Sequence, residues 1–319
     1  MAQYALRRIF LGFLTAILVS IIVFVILRIA PGDVVDIILG GEDAFYSPET
    51  EELLREQLGL NRPLPVQYLE FMKDFFTLQW GESLVDSKEI WPQIKEKLPV
   101  TVELAGLTVF FAVFFGIPVG VMMALKQDSK LDYTLRILSL GGLSIPSFWS
   151  GTIIILVGTM YFNWSPRLEY VSFFEDPWGN FIMFFWPAAC NGWVSQATKA
   201  RMMRSTMLEV LRQDYIRTAH AKGLRYGVVV YRHAMKNALL PVVTIIGITV
   251  ALTIGGSVIM ETVFMLPGMG SFMVYSLTRW DYPVVQTLVL FFSSWIVITN
   301  LLIDMSYGWL DPRVRYDSR

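Results

Sequence analysis

Between Arg8 and Arg28 the chain runs from Ile9 to Leu27 through 19 residues without a charged side chain. At about 1.5 Å per residue such a run makes about 28 Å of helix, close to the thickness of a bilayer's hydrocarbon core. Lipid offers no partner to a free backbone N–H or C=O, so a segment that crosses it must be a helix or part of a closed barrel. Runs of this length, rather than ten-residue alternations, specify helices. The run is also too long for the apolar part of a signal peptide, and no A-x-A site follows, so it is expected to be a retained span. Six spans are predicted, at about 9–30, 99–125, 135–162, 180–200, 241–262 and 284–306. The composition agrees: 54% of residues are hydrophobic, 17% are charged and the mean hydropathy is +0.51, where a soluble domain carries about a quarter charged. The fourth stretch is the most polar. It holds Pro187, Asn191, Gly192, Ser195 and Gln196, so it should face protein or a water-filled cavity.

Lysine and arginine placement sets the orientation. Arg7 and Arg8 precede the first span. Lys126, Lys130 and Arg136 follow the second. Lys199, Arg201, Arg204, Arg212, Arg217, Lys222, Arg225, Arg232 and Lys236 follow the fourth, and Arg313, Arg315 and Arg319 lie in the tail. The two short loops on the other side hold only Arg167 and Arg279. Both termini are therefore expected in the cytoplasm. The long outer loop, 31–98, carries 14 acidic and six basic residues and reads as folded. Ser47 is placed to cap a helix with Pro48 at its first position and Gly59 as its stop. A second helix starts near Pro65 and runs towards Gly81, with an apolar face that includes Val66, Leu69 and Phe76. That face either shields the helix ends or receives an extracytoplasmic partner. The domains read as residues 1–98, a span plus this helical loop; 99–306, the membrane core with a cytoplasmic segment 201–240; and 307–319, a cytoplasmic tail.

Several functions lose their chemistry here. One cysteine, Cys190, permits no intrachain disulfide and no multi-cysteine metal site, and it reads as a small buried filler. The two histidines, His220 and His233, both fall in the basic segment. No G-x-x-x-x-G-K-[ST] loop occurs, nor any Gly-Lys pair, so the chain cannot hold ATP by that device. A secondary transporter would want a carboxylate at the bilayer midplane, whereas the candidate acids Glu103, Glu261 and Asp304 all fall near predicted helix ends, as does Arg28. A membrane enzyme would want a cluster of His, Asp or Cys in one cavity.

The segment "DYIRTAHAKGLRYGVVVYRHAMKNALLP", 214–241, stands out in so apolar a chain. Asp214 is placed to cap a short helix, Tyr215 to Lys222, and Gly223 to end it. Ile216 and Ala219 share a face, and the small Ala219 and Ala221 let the helix sit deep in a groove. After Gly227 a second helix carries an apolar stripe of Val228, Tyr231, Met235 and Leu239. Pro241 marks entry to the fifth span. A basic loop lying on anionic lipid and a docking element for a cytoplasmic partner both fit the charges. Nucleic acid does not fit, because few stacking aromatics lie among them.

"RTAHAKG" followed by "NALLP" resembles the EAA loop of ABC-importer permeases. Arg217, Thr218 and Ala219 fall in the E-A-A places and Gly223 in the glycine place. The literal Glu and first Ala are absent, and the gap to Pro241 is long, as in the peptide-importer branch. "LRIAPGD", "LGLNRPLPVQYLEF", "LPVTVELA", "SIPSFWSG", "ETVFMLPGMGSFMVYSLTRWDYPVVQ" and "DPRVRY" are similar, in order, to the first permease subunit of dipeptide, oligopeptide and nickel importers.

This resemblance implies an all-α membrane protein with the type I ABC importer fold and a helical extracytoplasmic loop after helix 1, in a bacterial or archaeal cytoplasmic membrane. It implies a homologous second permease, two ABC ATPase subunits that bind ATP and Mg, and an extracytoplasmic substrate-binding protein. Peptides are the implied cargo, with nickel or another small solute as the alternative. Asp214, Tyr215, Ile216, Arg217, Thr218, Ala219, His220, Ala221, Lys222, Gly223 and Leu224 would couple to the ATPases, and Gly223 would need positive φ. Pro146, Pro187 and Gly255-Gly256 are expected to interrupt their helices, and Glu261 to stabilise a re-entrant outer turn. Helix breaks are tolerated where backbone lines a cavity, which places Asn191, Ser195, Gly255, Gly256 and Ser257 near the pathway.

Overall fold

A computed structural model describes residues 2–29, 35, 47–57 and 59–310. The end of the "LRIAPGD" block, much of the loop that follows it and the tail with Arg313, Arg315 and Arg319 lie outside the described residues, as do the side chain of Asp304 and the surroundings of Gly256. Among the described residues there is no strand, only one isolated antiparallel bridge between Glu82 and Glu89.

Three helices precede the main body: α1 (Ala2–Ile29), α2 (Pro48–Gln57) and α3 (Leu64–Thr77). The α2 boundaries follow from its end residues. Ser47 Oγ accepts the Thr50 N–H at 3.2 Å, and Gly59 takes φ +65° just past the helix. In α3, Tyr68 packs edge-on against Phe24 of α1 with 5.6 Å between ring centres, and its hydroxyl lies 2.7 Å from that of Ser20. Phe75 stacks on Trp80. The face of Val66, Leu69 and Phe76 does not pack within the chain, and all three remain exposed. The ring-to-ring contacts of Tyr68, Phe71 and Phe75 set the rotation of the helix instead.

The centre of the fold is the pairing of α4 (Ile90–Leu125) with α7 (Pro177–Leu211). Glycines let the two backbones approach. A Cβ on Gly120 would stand 2.6 Å from both the Ala200 carbonyl oxygen and Met203 Cβ; one on Gly116, 2.9 Å from Lys199 Cβ; one on Gly192, 2.7 Å from Phe111 Cβ. Gly116 and Gly120 form a small-xxx-small pair. Such pairs mediate helix contact in lipid, where apolar side chains gain nothing from leaving hydrocarbon and only close packing is left to hold helices together. The predicted second span starts nine residues earlier than its apolar run, at Ile90, because Ile90 and Ile94 are buried under Trp80 and Val284. Glu103 thus lies well inside α4 rather than near its end.

The predicted third span is not one helix. It divides into α5 (Lys130–Ser144) and α6 (Ser147–Phe162), bent by 95°. Pro146 accounts for the break: it has no N–H to donate and pushes Ile145 out of the helical region to ψ 120°. Pro187, by contrast, does not interrupt α7, which continues through it. At 35 residues α7 is about 52 Å long, more than a bilayer's hydrocarbon depth. Lys199, expected in a loop, is inside this helix and 2% exposed.

The fifth span begins at Tyr226, not at Pro241. A short α segment Tyr226–Val228, a π segment Val229–Ala234 and α9 (Met235–Gly256) follow one another, with Pro241 inside α9. The wide π turn rotates the buried stripe by one position. Val230, Ala234, Ala238 and Val242 are buried, while the expected Val228 and Tyr231 are exposed and Met235 and Leu239 only partly covered. The expected break falls one residue later: α9 continues through Gly255 and Gly256 and breaks at Ser257. It leads into α10 (Val258–Val263), α11 (Met269–Thr278) and α12 (Tyr282–Leu310). Four described helices are long and apolar enough to cross a membrane, or five if α5 and α6 count as one broken span; α7 is a long helix but too polar to be among them.

The α4–α7 seam makes a paired prediction. Gly120→Leu should lower the apparent Tm of the purified protein by at least several degrees, since overpacking costs about 1–3 kcal/mol and there is backbone on the far side of the contact. Gly106→Leu, on the same helix with nothing within 4 Å of a Cβ, should leave it unchanged. Thermal melts followed by size-exclusion fluorescence would test this.

Candidate functional site

The helix α8 (Asp214–Ala221) follows α7 after only two residues. Its N-cap is Gln213, whose side chain makes no capping bond, and Asp214 is the first helical residue rather than the cap. The carboxylate still favours the start of the helix, because it faces the unpaired N–H groups there. The far end is a Schellman closure. Gly223 N–H donates to His220 O at 2.9 Å and Leu224 N–H to Ala219 O at 3.4 Å, with Gly223 at φ +78°. Gly223 therefore has the left-handed backbone its place in the sequence suggests.

This helix has two faces. Ile216 and Ala219 are 2% and 8% exposed and join the cluster formed by Val121, Met203, Met207, Val230 and Ala234, where α4, α7 and the π segment meet. The opposite face, with Tyr215, Arg217, Thr218, Ala221 and Lys222, is open to solvent. Two contacts tie the flanks down. Asn237 Nδ2 donates to Tyr215 Oη at 2.7 Å, and the His220 and Tyr226 rings stack 6.0 Å apart. The Arg217–Asp214 pair, at 3.4 Å with both side chains exposed, adds little. The result is a short helix held rigidly from behind and presented outward.

The five pathway candidates do not form one group. Asn191 and Ser195 are half-buried on α7, and Gly255 is exposed with open space around a hypothetical Cβ. Ser257 does not fit a pathway position. It is fully buried and donates to Ile254 O at 2.8 Å and Glu261 Oε1 at 2.9 Å. Its role is set by Glu261, which is also fully buried and, as its place before the Pro-Gly turn suggests, holds the turn that follows. The carboxylate accepts from Thr101 Oγ1, Ser257 Oγ, and the Gly270 and Ser271 N–H groups at 2.7–3.0 Å. It thereby fixes the turn between α10 and α11 and ties it to α4. Gly268 is a glycine because the carboxylate occupies the space a Cβ would need, and Gly270 because the Val258 backbone, together with the carboxylate, does.

Three polar sites escaped sequence reasoning. The Lys199 ammonium bridges α7 and α9, donating to Ser195 Oγ and Thr249 Oγ1; its place in a basic run hid it. Asp132, fully buried at the start of α5, takes Arg136 Nη2 at 2.6 Å and Arg204 at 2.8 and 3.0 Å. The i,i+4 pair with Arg136 is visible in sequence, but Arg204 is 72 residues away. Glu103 accepts from Tyr170 Oη at 2.7 Å and Asn180 Nδ2 at 2.6 Å. Burial, together with that carboxylate, pushes the Tyr170 phenol up to about 12.

Residues 116–316 match the family described as binding-protein-dependent transport system inner membrane component, and residues 1–105 match the N-terminal region of such membrane components. The chain is 38% identical over 339 residues to the dipeptide transport system permease protein DppB of Escherichia coli K12, covering 99% of each. It is 37% identical over 336 residues to a protein of the same name from Alkalihalophilus pseudofirmus, covering 99% of this chain and all of that one. Against the di/tripeptide transport system permease protein DppB of Pseudomonas aeruginosa UCBPP-PA14 the identity is 35% over 336 residues, 99% of each. Among solved structures, a chain of the MetNI methionine ABC transporter, in inward-facing conformations, matches with a TM-score of 0.52 at 17% identity, over 68% of this chain and 95% of that one. That last likeness is one of fold.

Two predictions follow from the geometry. Ile216→Asp should unseat α8 and speed trypsin cleavage at Arg217, Lys222 and Arg225 by at least about tenfold, since a buried carboxylate here would have no partner, whereas Arg217→Ala should leave cleavage at Lys222 and Arg225 as it is; timed digestion of the purified protein reads both. Lys199→Met keeps the volume and removes a buried ammonium that has no carboxylate among its described contacts. The apparent Tm should stay level or rise, and a fall of more than about 5 °C in the same melts would show that the charge itself holds α7 to α9.

Proposed function

Because the chain belongs to the family of binding-protein-dependent transport system inner membrane components, we propose that it forms half of the translocation path of an ATP-driven peptide importer. Peptides are the cargo named for the relatives that match along its whole length. In this reading a homologous second permease completes the path. Two ATPase subunits bind ATP and Mg and supply the work, and an extracytoplasmic binding protein delivers the peptide. The chain itself, lacking a phosphate-binding loop, hydrolyses nothing. It crosses the membrane six times, with α7 as the polar span facing protein or the path, with both termini cytoplasmic and with α2 and α3 in an outer helical loop. Asn191, Ser195 and Gly255-Gly256 border the path.

The observation that carries the proposal is the two-faced geometry of α8. Residues 214–224 form a capped helix whose inner face is locked into the base of α4, α7 and the π segment, while its outer face is free. A partner gripping that face moves all three elements together. ATP-driven closure of the ATPases would then rock the spans and open the cavity to alternate sides.

Gly223→Leu tests the coupling. A side chain at φ +78° strains the closure by about 1–3 kcal/mol, which should loosen the link more than the fold. In proteoliposomes holding the whole complex and its binding protein, uptake per ATP hydrolysed should fall at least about tenfold. Uptake that remains fully coupled would refute the assignment of 214–224. The peptide assignment is tested separately, by mass spectrometry of the ligand retained on the native binding protein.

A further inference from the structure

The Asp132 cluster opens onto a groove between α5 and α7 with a volume of about 370 Å³. The two helices run antiparallel here, since Asp132 meets Arg204 and, further along, a Cβ on Gly142 would touch the Trp193 carbonyl. One end of the groove is therefore cationic and the other apolar. Arg136, Arg201 and Arg204 line the first; Leu140, Leu143 and Ala197 line the second. Leu140 and Leu143 lie one and two turns beyond Arg136 on α5, and beside them Ile137 and Leu138 are 67% and 56% exposed.

The charges are incompletely used inside the chain. Asp132 is fully buried behind the arginines and engages two of them. Arg201 is exposed and has no hydrogen bond or ion pair among the described residues. Arg136 Nε is buried without a hydrogen-bond partner, and the Arg136 guanidinium lies over the Tyr133 ring at 5.1 Å. Three guanidinium groups against one carboxylate leave about two positive charges facing the groove. The exposed Asp128 on the preceding turn also acts electrostatically on Arg204 and offsets part of that surplus, so Arg136 and Arg201 supply most of it.

We propose that this groove binds the phosphate headgroup of an anionic phospholipid between Arg136, Arg201 and Arg204, with an acyl chain laid along Leu140 and Leu143. Guanidinium donors match phosphate oxygens in pairs, and basic pockets between helices at a membrane surface suit such headgroups. A free phosphate would use the arginines but not the apolar end of the groove, and that continuity is what selects a lipid. Asp132 acts here as a positioning residue that aims Arg136 and Arg204.

The test is native mass spectrometry of the complete complex purified in mild detergent, then reincorporated into nanodiscs of phosphatidylcholine with or without phosphatidylglycerol. Wild type should retain phosphatidylglycerol over phosphatidylcholine. Arg201→Gln should cut that retention about fivefold, and Arg136→Gln with Arg201→Gln roughly 30-fold, at the usual contribution of a basic residue near anionic lipid; Arg201→Lys should restore most of it. Arg201 is exposed and unpaired, so its variant should fold, and an unchanged melt would confirm that. Equal retention in wild type and the double variant would overturn the proposal. So would binding of added inorganic phosphate without any retained lipid, which marks a free-anion site. A cross-link from Leu140→Cys to another subunit in place of lipid would also overturn it, because the groove would then be a subunit contact.

Discussion

Close backbone approach between α4 and α7 organises this protein. Helices in hydrocarbon gain nothing by hiding leucine from lipid, so contact must come from fit. Gly116, Gly120 and Gly192 supply that fit. Once the two long helices touch, their ends create the other sites. At one end Met203, Met207 and Val121 form the floor on which α8 and the π segment settle. Towards the other, Phe111, Phe184 and Ala188 receive Met260 and Phe264, the residues beside Glu261.

Polar groups then fix what packing leaves undetermined. A buried carboxylate is costly unless its oxygens are satisfied, and the structure satisfies two in different ways. Glu261 uses hydroxyls and backbone N–H groups at the start of α11, which orders a turn. Asp132 uses guanidinium groups from two helices, which sets the spacing of α5 and α7. A third acid, Asp281, binds Ser83 Oγ at 2.5 Å and the Leu84 N–H at 3.1 Å, holding the segment before α4 against the start of α12. Each specifies one arrangement among several that apolar packing alone would allow.

Much of this was legible from the residues. The apolar runs located the helices, Ser47 and Gly59 marked the ends of α2, and Gly223 marked the end of α8. Family resemblance reached further than periodicity did and pointed to the same short helix. What was hidden has physical reasons. A π segment changes the period from which the stripe on 228–239 was read. Pro146 bends a stretch that hydropathy averages into one span, while Pro187, embedded in packed protein, does not. Lys199 and Arg204 looked like loop charges because their partners, Thr249 and Asp132, are 50 and 72 residues away. The G-x-x-x-G at 116–120 was there to be read, and its meaning depends on the partner helix it faces.

One consequence concerns α7 as a beam. It touches α4 most closely from Gly192 to Met203, so that region is a natural fulcrum. The arm towards α8 is then about 20 Å long and the arm towards Pro177 about 30 Å, at 1.5 Å per residue. With only Arg212 and Gln213 between α7 and α8, a displacement imposed at α8 would, on a rigid α7, reappear at the far end reversed in direction and enlarged by roughly half. The ratio of travel between the two surfaces of the molecule would then be set by where three glycines happen to fall.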